Sequence, residues 1–115
     1  MSAVLHQAHG QTLTTMLPHV MDFNMPVRTA RYAAVAEALG ASEARASDEA
    51  NAQAAIGAVR AMADRVGVTR SISEMGGSSD HLPELVQQAM SDVTMLANPR
   101  QPTADDVREL YLAAF

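Results

Sequence analysis

Apolar positions recur along this chain at intervals of three and four residues, the spacing that gathers side chains on one face of a helix. Leu13, Met16, Leu17, Val20 and Met21 fall at i, i+3, i+4, i+7 and i+8, a predicted stripe with His9 four residues before Leu13 on the same face. Pro18 lacks an N–H and crowds the carbonyl of Thr14, so a kink is expected near Thr15. Asn24-Met25-Pro26 should end the element, because a residue before proline is pushed out of the α region.

A second helix is predicted from about Arg28 to Leu39, with Tyr32, Val35, Ala36 and Leu39 on one face and Gly40 as its C-cap. Ala41 to Ala46 reads as a polar connection. Ser47 then caps a third helix, with Asp48 and Glu49 against the positive end of its dipole. Its predicted inner face is Ala52, Ala55, Ile56, Val59, Met62, Ala63 and Val66; Gly67 stops it, and Gly57 marks a candidate close helix contact. Thr69 to Met75 suggests a short turn of helix before a flexible Gly76-Gly77-Ser78-Ser79 loop. No strand precedes this glycine pair and no Gly-Lys-Ser/Thr follows, so it does not read as a phosphate loop.

From Asp80, a fourth helix is expected to carry Leu82, Leu85, Val86, Ala89, Met90, Val93, Leu96 and Ala97 in one continuous period, closed by Asn98-Pro99-Arg100. The last helix opens on Thr103-Ala104-Asp105-Asp106, close to a capping box, and turns Val107, Leu110, Tyr111, Ala114 and Phe115 inward. Ending on an aromatic of that kind reads as a native C-terminus docked on the core.

Composition sharpens this reading. Hydrophobic residues make up 48% and aromatics only 3%, so the core must be built from Ala, Leu, Val and Met, and no sustained β-branched alternation competes with helix. The expectation is an all-α bundle of about five to six helices in a single domain, residues 1–115. A net charge of -5 with eight scattered arginines argues against a nucleic-acid partner. No apolar run reaches the roughly 18 residues that span a bilayer, and Met1 to Gln11 lacks the pattern of a signal peptide. The absence of cysteine agrees with a cytoplasmic protein.

The candidate chemistry is histidine. His6 and His9, three apart, would share a face of one helix, a spacing able to bind a metal, although two imidazoles make an incomplete site. His6 alone reads more simply as a surface or partly buried residue. His19 lies ten residues beyond His9, off the stripe, and reads as a packing or hydrogen-bonding residue.

A His9-Gly10 pair opening a helix, then Leu17-Pro18-His19-Val20 and Phe23-Asn24, resembles the start of the C-terminal helical domain of the iron-containing (group III) alcohol dehydrogenases. Arg31-Tyr32 with Ala36 and Ala38-Leu39-Gly40, and the helix from Asp80 to Asp92, are similar in position. The run from Asp92 through Asn98-Pro99-Arg100, Pro102-Thr103 and Asp106-Val107 to Leu110-Tyr111-Leu112-Ala113-Ala114-Phe115 looks like the end of these enzymes.

The resemblance implies a division of labour: an N-terminal α/β half binds the dinucleotide, and the helical domain gives an Asp and three His to a divalent metal. That metal, Fe²⁺ or sometimes Zn²⁺, polarises the alcohol or carbonyl oxygen for hydride transfer with NAD(P). His9 matches the last of these histidines; His19 matches none of the ligands, and His6 has no counterpart. The Asp and the other two His would lie upstream of Met1, so the isolated chain is expected to bind neither metal nor NAD(P) and to be inactive.

Two other functions fit the residues. A non-enzymatic helical module could dimerise or bind a partner helix through an uncovered apolar face, for which the first helix and Met16, Met21, Met25, Met62, Met90 and Met95 are candidates. A small metal-binding protein could pair His6 and His9 with the same residues of a second copy. The expected partners are therefore a second copy of the chain or a separate N-terminal dehydrogenase half.

Overall fold

The computed structural model describes residues 1–115, which form five α-helices and two 3-10 segments with no strand. They are α1 (Ser2–Leu5), α2 (His9–Ala38), α3 (Asp48–Arg65), a 3-10 turn at Ser79–His81 leading into α4 (Leu82–Ser91), a second 3-10 segment (Val93–Ala97) and α5 (Ala104–Ala113). The all-α bundle matches the pattern of the sequence.

Helix α2 is longer and less interrupted than its prolines suggest. It passes Pro18 without a break; its one non-helical residue is Arg28, at φ -141 and ψ 25, two positions after Pro26. The predicted kink near Thr15 and the stop at Asn24-Met25-Pro26 thus become a single bend further along. Side chains take over the carbonyls at the bend: Thr29 Oγ1 donates to Met25 O at 2.9 Å and Arg28 Nη1 to Val27 O at 2.8 Å. Pro26 has no N–H to donate to the carbonyl of Asp22, and the helix bends at Arg28 instead of ending.

α2 and α3 form the most extensive packing in the molecule. They touch through small side chains: Ala36, Ala52 and Ala55 are wholly buried beside Ile56. The Ser47 side chain caps α3 by accepting from Ala50 N, and Gly67, at φ +70, lies just past its end. Gly57 is exposed with open space at its Cβ position, so it marks no close contact, and Met62 and Val66 lie outside the inner face, 44% and 66% exposed.

The second packing centre gathers distant segments. Leu5, Ile72, Met75, Leu82, Leu85, Val107, Tyr111 and Ala114 form one buried cluster, against which Met16 and Phe115 are partly covered. Ile72 N donates to Ala114 O at 2.8 Å, tying the segment before the glycine pair to the end of α5. Thr103 and Asp106 cap α5 reciprocally, as the capping-box pattern anticipates.

The predicted fourth helix divides. α4 ends at Ser91, and Asp92 leaves helical geometry because its carboxylate accepts from both Thr94 N, at 2.8 Å, and Thr94 Oγ1, at 2.7 Å. Such a local bond offers the backbone an alternative to the helix. Val93 and Leu96 are consequently 79% exposed instead of continuing the inner face.

The body is a slab of 46 × 31 × 19 Å, about two helices thick, with only 18 of 115 residues buried. Its radius of gyration, 14.8 Å, exceeds the roughly 13 Å of a compact domain of this length. Much apolar surface is left at the faces of the slab. No helix is long and apolar enough to cross a membrane.

Candidate functional site

The first turn of α2 is reached by a sharp reversal. Leu5 is anchored in the buried cluster, and His6 ends α1 in the left-handed conformation at φ 52. His9 then opens α2 after the extended Ala8, which offers no capping side chain. His6 and His9 therefore do not ride on one helix: the shared face expected from their spacing is absent, because the chain turns between them. Both rings are exposed.

The reversal places Ser2 over the first turn of α2. Ser2 Oγ lies 3.3 Å from His9 Nδ1 and 2.6 Å from Thr12 Oγ1, and Thr12 Oγ1 is 2.8 Å from the carbonyl oxygen of His9. Thr12 is buried, 4% exposed, while the imidazole stands at the surface. The outer nitrogen, Nε2, has no hydrogen-bond partner in the protein. Ser2 and Thr12 escape a reading of the sequence by apolar spacing. Thr12 carries a faint signal, being three residues after His9, where a hydroxyl can reach back to a carbonyl; Ser2 carries none, because only the reversal brings it there.

The face that α2 buries differs from the predicted stripe. Thr12, Thr15, Pro18, Met21 and Asn24 are buried, whereas Leu13 and Leu17 are 55% and 47% exposed. Polar residues are tolerated inside because each is bonded: Thr15 Oγ1 donates to Arg70 O at 2.8 Å, and no buried side-chain polar atom is left without a partner. Of the methionines expected to be uncovered, Met62 and Met90 are exposed and Met21 is buried. His9, Leu13 and Leu17, at steps of four, share one exposed face of α2.

His19 sits elsewhere. It lines a cleft of about 330 Å³ with Thr15, Arg60, Arg70 and Phe115, and a second groove beside Asp22 and Asp106. Burial, the Arg60 guanidinium and, in the opposite sense, the Asp22 carboxylate leave its imidazole below the ordinary histidine value of 6.5. Arg60 Nη2 pairs with Asp22 Oδ2 at 2.6 Å across α2 and α3. This is a packing and charge environment, as the position off the stripe suggests.

No group of three or more His, Cys, Asp or Glu side chains comes together that could hold a metal ion. His9 meets the requirements of one ligand: an accessible imidazole with one nitrogen engaged by the protein and the other open. A catalytic centre of about three protein ligands needs donors beyond these 115 residues.

Comparison with known proteins places the whole chain. The family model described as "Fe-containing alcohol dehydrogenase family, C-terminal" matches residues 1–115. Lactaldehyde reductase of Escherichia coli strain K12 is 32% identical over 115 residues, covering all of this chain and 30% of the reductase. 1-Propanol dehydrogenase PduQ of Salmonella typhimurium is 35% identical over 111 residues, which cover 91% of this chain and 30% of that protein. The NAD-dependent methanol dehydrogenase of Bacillus methanolicus is 32% identical over 102 residues, 89% of this chain and 27% of that protein. Among solved structures, that of a 1,3-propanediol oxidoreductase superposes with a TM-score of 0.95 over 99% of this chain and 30% of its own, at 23% identity, a likeness of fold. The chain thus spans about 30% of the length of the curated relatives it matches.

Proposed function

The chain belongs to the Fe-containing alcohol dehydrogenase family as its C-terminal domain, and from that premise we propose that it is the helical, ligand-bearing part of a metal-dependent oxidoreductase acting on alcohols or aldehydes. The observation that carries this reading is His9, an exposed imidazole opening the long helix with Nε2 free and Nδ1 against Ser2. In the assembled site His9 would give one nitrogen to Fe²⁺ or Zn²⁺. The other ligands would come from the rest of the helical domain, outside these 115 residues, and the NAD(P) site from a dinucleotide-binding half, in the same polypeptide or a separate one. The metal, when bound, supplies Lewis acidity at the substrate oxygen. The isolated 115 residues are inactive in NAD-linked alcohol oxidation, since one imidazole holds a divalent metal only weakly and in exchange, short of a catalytic site, and no glycine-rich strand-turn-helix is present.

The test is titration of the chain with Co²⁺, followed by NMR of the four histidine rings. Paramagnetic broadening centred on His9, lost in His9→Ala and kept in His6→Ala, supports the reading. Broadening that requires His6 and His9 equally, at half a metal per chain, points instead to a site shared between two copies.

A second reading rests on the uncovered apolar residues. Leu13, Leu17, Val66, Val93 and Leu96 are all exposed, apolar surface that works against solubility unless something covers it. A module that associates through the Leu13–Leu17 face, with a second copy or with the dinucleotide-binding half, accounts for the two leucines without chemistry. Light scattering separates the cases: a strictly monomeric chain across micromolar concentrations removes self-association.

A further inference from the structure

We infer that Ser2 and Thr12 are positioning residues that hold His9 as the Nδ1-protonated tautomer and leave Nε2 with the lone pair. This rests on the reading of His9 as a metal ligand only for its purpose; the tautomer follows from counting hydrogens. A carbonyl oxygen can only accept, so the 2.8 Å contact between Thr12 Oγ1 and His9 O consumes the single hydroxyl hydrogen of Thr12. At the 2.6 Å contact between Ser2 Oγ and Thr12 Oγ1, Ser2 must then be the donor, and its hydrogen is spent in turn. The remaining contact, Ser2 Oγ to His9 Nδ1 at 3.3 Å, is left with no hydroxyl hydrogen, so Nδ1–H donates to Ser2.

The direction of the relay is set from the backbone outward. Thr12 is 4% exposed, which shields its hydroxyl from exchange of partners with water, and the helix fixes the carbonyl it bonds. A neutral imidazole carrying its hydrogen on Nδ1 must present an unprotonated Nε2. That nitrogen points away from Ser2 and has no protein partner. A metal ligand in this state needs no tautomeric exchange before it donates, and a protonated nitrogen anchored on a neighbouring group also orients the ring.

The protein supplies its own references. His81 Nδ1 accepts from Ser78 N at 3.0 Å, and a backbone N–H can only donate, so His81 is held in the opposite, Nε2-protonated tautomer. The exposed His6 ring makes no hydrogen bond and reports the preference of a free side chain, which favours Nε2–H in water.

The experiment is long-range ¹H–¹⁵N correlation of the imidazoles in the full 115-residue chain, metal-free, at a pH where the rings are neutral. The expected spectrum has His9 with a protonated Nδ1 and an unprotonated Nε2, opposite to His81. Ser2→Ala and Thr12→Val move His9 to the pattern of His6, and Thr12→Ser restores it. His9 in the Nε2–H form in the wild-type chain, or a pattern unmoved by Ser2→Ala, overturns the inference. Ser2 is only partly buried, so its variant decides the matter if Thr12→Val does not fold. Metal content after the chain is joined to the rest of a dehydrogenase tests the other reading separately: a chain with the expected tautomer that holds no metal once joined keeps the relay and loses the metal role.

Discussion

Asn24 on α2 and Asn98 beyond the second 3-10 segment exchange two hydrogen bonds, Nδ2 to Oδ1 in each direction, at 2.9 and 2.8 Å. Asn24 is 4% exposed, so the pair is a polar clasp set inside the slab, joining the middle of α2 to the turn that precedes α5. Asn24→Ala removes both bonds of the clasp, leaving the Asn98 amide its bond to Arg100 O, and at about 0.5–1.5 kcal/mol for each bond should cost about 1–3 kcal/mol in urea unfolding. A double-mutant cycle with Asn98→Ala should return a coupling of roughly 0.5–3 kcal/mol; additive effects would mean that the clasp contributes no energy of its own.

Gly77 is required by close approach. A Cβ there would collide with Ile72 Cγ2 and lie 2.9 Å from Ile72 O, and the carbonyl belongs to backbone that Ile72 N fastens to Ala114. Gly77→Ala should therefore destabilise by about 1–3 kcal/mol, the usual cost of overpacking. Gly57→Ala, with open space at its Cβ position on an exposed helical turn, should instead be neutral or stabilising by up to about 1 kcal/mol. Thermal melts of the two variants check the contrast in sign.

His19 makes stability depend on pH in a known direction. Burial first, and Arg60 second, lower its folded value below the 6.5 of the unfolded chain. Between those values the unfolded state binds more protons, so stability is fully present above about 6.5 and is lost as pH falls through the unfolded value toward the folded one. His19→Gln should flatten the melting temperature across this window, which opens as pH falls below about 6.5. Asp106 acts at lower pH: Thr103 N and Oγ1 hold its carboxylate below 3.8, and that contribution disappears as pH falls through the folded value.

The exposed Leu13 and Leu17 follow His9 along one face of α2. If that face associates with a second copy, replacing both leucines by Gln should shift the chain toward monomer in sedimentation at micromolar concentration while the melting temperature stays near wild type, because neither side chain is buried in the fold. A melting temperature that falls by many degrees would place the two leucines in the core instead.

The helical content was legible because Ala, Leu and Met at steps of three and four leave no alternative period, and the caps Ser47, Thr103 and Gly67 act through local chemistry that a short stretch contains. The buried face of α2 was not legible. Apolar spacing favours Leu13 and Leu17, but the tertiary partners Ser2, Arg70 and Asn98 take up Thr12, Thr15 and Asn24, and no local pattern announces a hydroxyl or amide bonded across 10, 55 or 74 residues. The break at Asp92 had a sign that periodicity overrode, namely an Asp two residues before a Thr. Of the candidate site, the family resemblance points to His9-Gly10, while the hydroxyls of Ser2 and Thr12 beside it are out of reach of a sequence pattern because the chain reverses at His6.

The most direct measurement is metal content in a chimera in which these 115 residues replace the corresponding C-terminal 30% of Escherichia coli lactaldehyde reductase. Purified without a metal-affinity tag, it should retain about one divalent metal per chain and support reduction of lactaldehyde, with both lost in His9→Ala and kept in His6→Ala. A folded chimera that holds no metal, or one that holds it equally well without His9, would contradict the assignment of His9 as a ligand.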